Sequence, residues 1–119
     1  MTREIHRISG QGSFGRDFAL RDQIRRASVS VMSNIAEGFE RSGTAEFIQF
    51  LSQAKGSAGE VRSLLHVALD QTYVEPDVFE RLARLSRQTA RQIAGLMLYL
   101  RRCGTKGWKF ERNLQPRNL

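Results

Sequence analysis

The sequence predicts an all-α fold, an antiparallel helical bundle in a single domain. Apolar residues recur at every third or fourth position in three long segments, which is the spacing of an amphipathic helix. Proline occurs only at positions 76 and 116, and no segment alternates apolar and polar residues as a half-buried strand does. A chain of 119 residues is long enough for one domain with a hydrophobic core.

Four helices are expected in chain order, at about residues 1–9, 17–41, 44–72 and 76–102. The first can have only about two turns, because Gly10, Gly12 and Gly15 follow it and break the helical pattern. Asp17 can cap the second helix, and Gly43 can end it as the C′ residue.

The ends of the last two helices are also marked. Thr44 is expected to cap the third helix, and Glu46 places a negative charge in its first turn, which suits the helix dipole. Pro76 suits the first turn of the last helix, and Gly104 is a reasonable stop. We therefore expect a bundle domain over residues 1–104 and a basic, aromatic tail over residues 105–119.

Each long helix carries an apolar stripe, and together these stripes define the predicted core. Its members are Leu20, Ile24, Ala27, Val31, Ile35, Phe39, Phe47, Phe50, Leu51, Ala54, Ala58, Val61, Leu65, Ala68, Val78, Leu82, Leu85, Thr89, Ile93, Leu96 and Leu100.

A row of polar residues lies beside the stripe of the second helix, since Ser30, Asn34, Glu37 and Arg41 fall at i, i+4, i+7 and i+11. The next helix offers an answering row of Gln53, Gly56, Ser57 and Glu60. Glycine costs about 1 kcal/mol relative to alanine inside a helix, so we expect another backbone to approach closely at the stretch GSAG. This polar seam can fix the register of two packed helices, or it can form a ligand or nucleic-acid site.

Catalytic and metal sites are not indicated. Ser63, His66 and Asp70 share one exposed helix face, which offers neither an oxyanion hole nor a pocket that excludes water. Neither His6 nor His66 has the glutamate three residues upstream that a di-iron bundle uses. GSAG lies within a continuous helical pattern, unlike the loop of a KH domain, and no phosphate-binding loop is present. We expect no enzyme, no catalytic residue, no metal and no cofactor.

The net charge of +7 is concentrated at the two ends of the chain. Residues 1–26 hold six arginines and three acidic residues, and residues 101–119 hold six basic residues and one acidic residue. Residues 27–100 hold seven basic and eight acidic residues, so this segment is almost neutral. Basic ends favour polyanionic partners, nucleic acid first and anionic membrane second. A charge that merely keeps the protein in solution is the alternative.

Two basic features can contact phosphates. On the last helix, Arg84, Arg87, Arg91 and Arg102 project opposite the apolar stripe. The tail alternates basic and aromatic residues, a composition that suits single-stranded nucleic acid because bases stack on rings. A solvated helix face and an aromatic tail tucked into an apolar gap are the respective alternatives. The expected phosphate contacts are Arg84, Arg87, Arg91, Arg101, Arg102, Lys106 and Lys109.

The strings NIAEGFER, EFIQFL and AKGSAGE, within roughly residues 14–102, resemble the four-helix bundle proteins encoded by intervening sequences inside bacterial 23S ribosomal RNA genes. A related branch is the accessory protein of diversity-generating retroelements, a basic pentamer that binds a reverse transcriptase and nucleic acid. The motif residues of this resemblance are assigned a structural role: Ser30, Asn34, Glu37, Gly38, Arg41, Glu46, Gly56, Ser57 and Glu60.

The resemblance implies an antiparallel up-down four-helix bundle that assembles into a ring-like homo-oligomer, a pentamer in characterised relatives. Relatives have a long first helix, whereas only thirteen residues precede Phe14 here. A truncated first helix would leave an apolar groove along the other three, which favours oligomerisation or a docked tail. Within the seam, the resemblance and the spacing together predict that Asn34, Glu37, Gly38 and Arg41 face Ser57 and Glu60 across a tight helix pair.

The expected function is a non-enzymatic, oligomeric accessory protein that binds RNA or DNA. The alternative is a scaffold whose groove holds a partner enzyme such as a reverse transcriptase. No signal peptide opens the chain, the single Cys103 excludes an internal disulfide, and no apolar run is long enough to span a bilayer. We therefore expect a cytoplasmic protein without a membrane partner.

Overall fold

The computed structural model of the protein describes residues 1–103, and these residues form five helices without a strand. The helices are α1 (Thr2–Ser9), α2 (Gly12–Arg16), α3 (Phe18–Glu40), α4 (Thr44–Asp70) and α5 (Pro76–Arg102). The predicted all-α class is confirmed. The tail at 105–119 and the predicted stop at Gly104 lie outside the described residues.

Two predicted helix starts are confirmed. The carboxylate of Asp17 accepts a hydrogen bond from the backbone N–H of Leu20 at 3.1 Å, which satisfies one of the free donors at the start of α3. The second oxygen of the same carboxylate accepts a hydrogen bond from the Tyr73 hydroxyl at 2.9 Å. Pro76 opens α5, where its missing N–H costs nothing.

The connection between α3 and α4 differs from the prediction. Gly43 is not the C′ residue of α3, because that helix ends at Glu40 with Arg41 as its C-cap in an extended conformation. Gly43 instead caps α4 with an extended backbone, and Thr44 is already the first residue of the helix. Because only residues 41–43 join the helices, the chain reverses through extended residues and has no separate left-handed cap.

The glycines after α1 build a helix that the sequence analysis missed. Gly12 opens α2 with a φ of +54°, a left-handed conformation that favours glycine. A Cβ on Gly15 would lie 2.7 Å from the carbonyl oxygen of Gly10, so the backbones meet here at a distance that only glycine permits. These residues were predicted only to end the first helix. In the structure they also allow α2 to pack closely against the end of α1.

The three long helices pack side by side, with α4 in contact with both α3 and α5. Ser30 of α3 contacts Ser57 of α4, and Gln23, earlier on α3, contacts Glu60, later on α4. The short α1 lies over α3, where the Arg25 guanidinium donates to the Ser9 hydroxyl.

The buried side chains form two clusters. The basal cluster contains residues of all five helices: Ile5, Ile8, Phe14, Leu20, Ile24, Ala27, Val61, Leu64, Leu65, Ala68, Phe79, Leu82 and Ala83. The apical cluster lies toward the α3–α4 turn and is built from α3, α4 and α5 alone: Val31, Phe47, Leu51, Ala54, Ala58, Ile93, Met97 and Leu100. Met1 packs against both clusters, and thus marks the boundary between them.

Two residues of the predicted core are exposed, and five more are half-buried: Ile35, Phe50, Val78, Leu85 and Thr89. Phe39 is 44% exposed and Leu96 is 37% exposed, and both lie in the apical half. Met97, directly after Leu96, is buried instead. The reason is that α1 and α2 contribute buried side chains only to the basal cluster, so no described helix lies over the outer flank of the apical stripes. No helix among residues 1–103 has the length and apolar character that crossing a bilayer requires.

Candidate nucleic-acid interface

A shallow basic groove runs between α4 and α5, and we refer to it as the α4–α5 groove. It has a volume of about 370 Å³ and is lined by Lys55, Arg62, Arg87, Ala90, Arg91 and Ala94. Four of these six residues are cations and none is acidic. The walls are therefore positive, and the floor is made of small side chains.

Helical spacing explains why these residues share the groove. On α4, Lys55, Gly59 and Arg62 fall at i, i+4 and i+7, so they form one row along the helix. On α5, Arg87, Arg91 and Ala94 have the same spacing. The neighbouring faces of both helices are buried, through Ala58 of α4 and Ile93 of α5. Each basic row thus lies next to the helix contact, and the two rows flank the groove.

The cations of the groove are only weakly neutralised by the protein itself. Arg87 reaches Glu80 at 3.6 Å, but both side chains are exposed, and such a pair contributes little. Within the part of the chain that the structure describes, Lys55, Arg62 and Arg91 form no ion pair. Several unneutralised cations in one concave surface raise the local positive potential and attract polyanions.

The predicted phosphate contacts are divided between the groove and its surroundings. Arg87 and Arg91 line the groove. Arg84 and Arg102 are exposed and lie seven residues before and eleven after Arg91, so they extend its row along α5 beyond the groove. Arg101 is exposed near the end of the helix. Lys106 and Lys109 lie outside the described residues.

Lys55 and Arg62 were not among the predicted contacts. Each is a single basic residue in a helix whose polar face is otherwise mixed, so neither stands out in composition. The available signal was their separation of seven residues, which puts both on one face of α4. That this face lies beside the arginines of α5 depends on how the two helices pack, which a sequence pattern does not give.

The polar seam between α3 and α4 is centred on a pair of serines. The hydroxyls of Ser30 and Ser57 are 2.9 Å apart across the two helices. The side-chain amide of Asn34 donates to both the carbonyl and the hydroxyl oxygen of Ser30, each at 2.9 Å. About two helical turns before Ser30, the side-chain amide of Gln23 donates a long hydrogen bond of 3.5 Å to the carboxylate of Glu60. Asn34 therefore orients Ser30, and Ser30 makes the contact to α4.

Other motif residues do not cross the seam as predicted. Glu37 accepts a hydrogen bond from Arg41 at 3.2 Å, and both belong to the same exposed end of α3. The Arg41 guanidinium also lies 5.1 Å from the centre of the Phe50 ring. Glu46 lies exposed in the first turn of α4.

The close helix approach occurs at Gly38 and not at GSAG. A Cβ on Gly38 would lie 2.7 Å from Cβ of Phe50 and 2.9 Å from Cδ1 of Phe47, so α4 passes directly over this residue. A Cβ on Gly56 or Gly59 would meet nothing within 4 Å. The prediction for GSAG is wrong because consecutive helical residues point about 100° apart, so Ser57 and Ala58 turn toward the bundle while the two glycines lie in open space.

A second groove lies on α3 in the apical half, on the same side of α3 that α1 covers in the basal half. We refer to it as the apical groove. Met32, Ile35, Ala36, Phe39 and Glu40 line it on α3, with a volume of about 370 Å³. Met32 and Phe39 follow Arg25, which contacts α1, at intervals of seven residues, so they lie on the same side of α3. The apical groove is therefore apolar where the α4–α5 groove is basic.

The serine, histidine and aspartate of α4 that were considered for catalysis stay apart from one another. The His66 ring packs against Phe79 with ring centres 4.7 Å apart, while Ser63 and Asp70 are exposed. No hydrogen bond links these three residues, and within residues 1–103 no group of histidine, cysteine, aspartate and glutamate side chains could hold a metal ion. The absence of enzymatic activity stays a prediction.

Comparison with known proteins places the chain among proteins of similar sequence and fold. A sequence profile described as "23S rRNA-intervening sequence protein" matches residues 1–95. No functionally curated protein matches the chain. A solved structure of a protein with unknown function from the S23 ribosomal protein family of Bacteroides thetaiotaomicron is similar, with a TM-score of 0.73 and 20% identity. The similarity covers 81% of this chain and 87% of that protein, and at this identity it shows a shared fold.

Proposed function

The chain belongs to the family of 23S rRNA-intervening sequence proteins, and on that premise we propose that it is a non-enzymatic, homo-oligomeric accessory protein that binds nucleic acid. The observation that carries the proposal is the α4–α5 groove, in which Lys55, Arg62, Arg87 and Arg91 meet without an acidic lining residue. Arg84, Arg101 and Arg102 extend the positive surface along α5.

The physical basis is the release of counterions from a phosphate backbone. Each phosphate that a lysine or arginine neutralises frees condensed cations, and this gain does not depend on base sequence. A groove with four cations can neutralise about four phosphates, which gives a slope of log affinity against log salt of about −3.6 for a duplex. Contacts from Lys106 and Lys109 in the tail would make the slope steeper.

Oligomerisation strengthens such a surface. In a ring of identical subunits, each α4–α5 groove is repeated once per subunit, and a long nucleic acid can engage several grooves at once. Linked contacts raise the overall affinity well above that of one site without any new interaction. A homopentamer, as implied by the resemblance to characterised relatives, is the assembly that we propose.

Binding across a salt series tests the proposal. Labelled single-stranded RNA, duplex RNA and duplex DNA are titrated with the full-length protein, with a variant ending at Gly104, and with the double variant Arg62→Gln/Arg91→Gln. The matched control is Arg3→Gln/Arg26→Gln, which removes the same charge from exposed positions on α1 and α3. We expect tight binding that weakens steeply with salt and weakens more in the groove variant than in the control. No binding at low salt would refute the proposal.

The apical groove favours a second candidate function, a scaffold that holds a partner protein. Its lining is mostly apolar and includes Met32, which is 62% exposed, and Phe39. An amphipathic helix of a partner enzyme, such as a reverse transcriptase, would bury its apolar face here. Affinity for such a partner helix would change little with salt, whereas affinity for nucleic acid falls steeply. The salt dependence of binding to each kind of ligand therefore separates the two functions.

A further inference from the structure

We propose that the α4–α5 groove binds the sugar-phosphate backbone of a double-stranded nucleic acid and does not take up unpaired bases. This inference rests on the proposed function and names the class of ligand for the same site. Duplex RNA and duplex DNA share the backbone chemistry on which it depends.

The lining of the groove has no surface on which a base could stack. Proteins that hold single strands combine a basic track with aromatic rings, and each stacked base contributes substantially to affinity. The groove offers only aliphatic stems, cationic groups and two alanines. Within residues 1–103, the large aromatic side chains that are more than a third exposed are Phe18, Phe39 and Tyr99, and none of them lines this groove.

The cations stand in two rows that can flank one backbone. Lys55 and Arg62 are seven residues apart on α4, about 10.5 Å along the helix, and Arg87 and Arg91 are about 6 Å apart on α5. Packed helices are about 8–10 Å apart, so a strand lying along the groove has positive charge on both sides. The groove binds a ridge of phosphates without having to separate the strands.

Small residues on both helices permit a backbone to come close. Gly59 does not line the groove itself, but it lies in the same row as Lys55 and Arg62, and a Cβ at that position would meet no atom within 4 Å. Ala90 and Ala94 add only methyl groups. The long cationic side chains can therefore converge on phosphates that sit directly above the helices. Because helices and duplex are both rigid, little conformational entropy is lost on binding.

The test separates shape from charge by adding bulk beside the cations of α4. In Gly59→Leu, a bulky side chain is added to the row of Lys55 and Arg62 while every charge is kept, and the change from glycine favours the helix. Gly56→Leu is the matched control, since Gly56 also has open space around it and does not belong to the row of Lys55 and Arg62. Circular dichroism checks that both variants keep their helices.

The probes are a duplex RNA, a duplex DNA of the same sequence and one strand of the RNA alone, each titrated with the full-length protein at the same salt concentration. We expect Gly59→Leu to weaken the binding of both duplexes by about tenfold, the effect of losing a few phosphate contacts. Binding of the single strand, which the basic and aromatic tail suits, should change much less in the same variant. Gly56→Leu should bind like the unaltered protein.

Single-strand binding that weakens as much as duplex binding in Gly59→Leu, or duplex binding that is equal in Gly59→Leu and Gly56→Leu, would overturn the inference and leave nucleic-acid binding itself in place. If the unaltered protein bound none of the three probes, the proposed function would be overturned instead. The two failures are therefore distinguishable in one experiment.

Discussion

The basal and apical halves of the bundle are built from the same three long helices but differ in what covers them. In the basal half, α1 and α2 add Ile5, Ile8 and Phe14, and the core residues Ile24 and Leu82 are completely buried. In the apical half, Phe39 and Leu96 stay more than a third exposed. An apolar stripe of constant spacing therefore becomes core only where another element lies over it.

We expect the largest loss of stability when a phenylalanine of the basal half is replaced by alanine, and a much smaller loss from the same replacement in the apical half. Phe14 is fully buried and stacks on Tyr73 with ring centres 5.5 Å apart, so Phe14→Ala should lower the free energy of unfolding by about 3–5 kcal/mol. Phe39→Ala in the apical half should cost less than about 1.5 kcal/mol, since much of its ring is already exposed. Urea unfolding measures both values. Equal losses would show that the apical half is as well covered as the basal half.

A second comparison contrasts a glycine in a tight helix contact, Gly38, with a glycine in open space, Gly59. The contact between α3 and α4 is tight, because a Cβ on Gly38 would press on Phe47 and Phe50. We expect Gly38→Ala to destabilise the fold by about 1–2 kcal/mol, since overpacking outweighs the gain in helix propensity. Gly59→Ala, in open space, should stabilise it by up to about 1 kcal/mol. A stabilising Gly38→Ala would mean that the two helices are further apart than the structure shows.

Asp17, at the start of α3, stabilises the basal half through two hydrogen bonds. Asp17→Ala removes the cap of α3 and the acceptor of the Tyr73 hydroxyl. The expected loss is about 1–2 kcal/mol, the upper part of the range for a helix cap. Tyr73→Phe is the control, because it removes the hydroxyl and keeps the cap. If both variants lose the same stability, the cap itself contributes nothing.

The smallest expected effect concerns the ion pair that holds α1 to α5. Hydrogen bonding from Arg81 lowers the pKa of Glu4 below its ordinary value of 4.5. A carboxyl with a lowered pKa in the folded state stabilises the protein above its ordinary pKa, and this contribution is lost as the pH falls through the folded value. Because both side chains are partly exposed, this contribution should be small.

Glu4→Gln measures that contribution. The variant should be slightly less stable than the unaltered protein at pH 7, and the difference should disappear as the pH falls through the lowered pKa of Glu4. Thermal unfolding at a series of pH values gives the comparison. A difference that persists at the lowest pH would assign the effect to packing of α1 and not to the charge of Glu4.

Local signals in the sequence predicted part of this fold. Asp17 and Pro76 mark helix starts because capping and the missing proline N–H are determined within one turn of the chain. Gly12 and Gly15 were misinterpreted, because glycine both breaks helices and permits close backbone contacts, and only the position of Gly10 decides between the two roles.

The candidate site was predicted only in part for a related reason. Arg87 and Arg91 were predicted because they lie off the apolar stripe of α5, but they flank the contact with α4 and do not lie opposite the core residues. Lys55 and Arg62 join them only through the register of α4 against α5. Likewise, Gly38 and GSAG are equally plausible close contacts in the sequence, and the packing of Phe47 and Phe50 selects Gly38.

Contact between the α4–α5 groove and phosphates can be measured as the salt dependence of duplex RNA binding in the variant Arg62→Gln/Arg91→Gln. We expect its slope of log affinity against log salt to be shallower by about 1.8 than that of the unaltered protein, because two phosphate contacts are lost. The control Arg3→Gln/Arg26→Gln should keep the original slope. Equal slopes in all three proteins would contradict such contact.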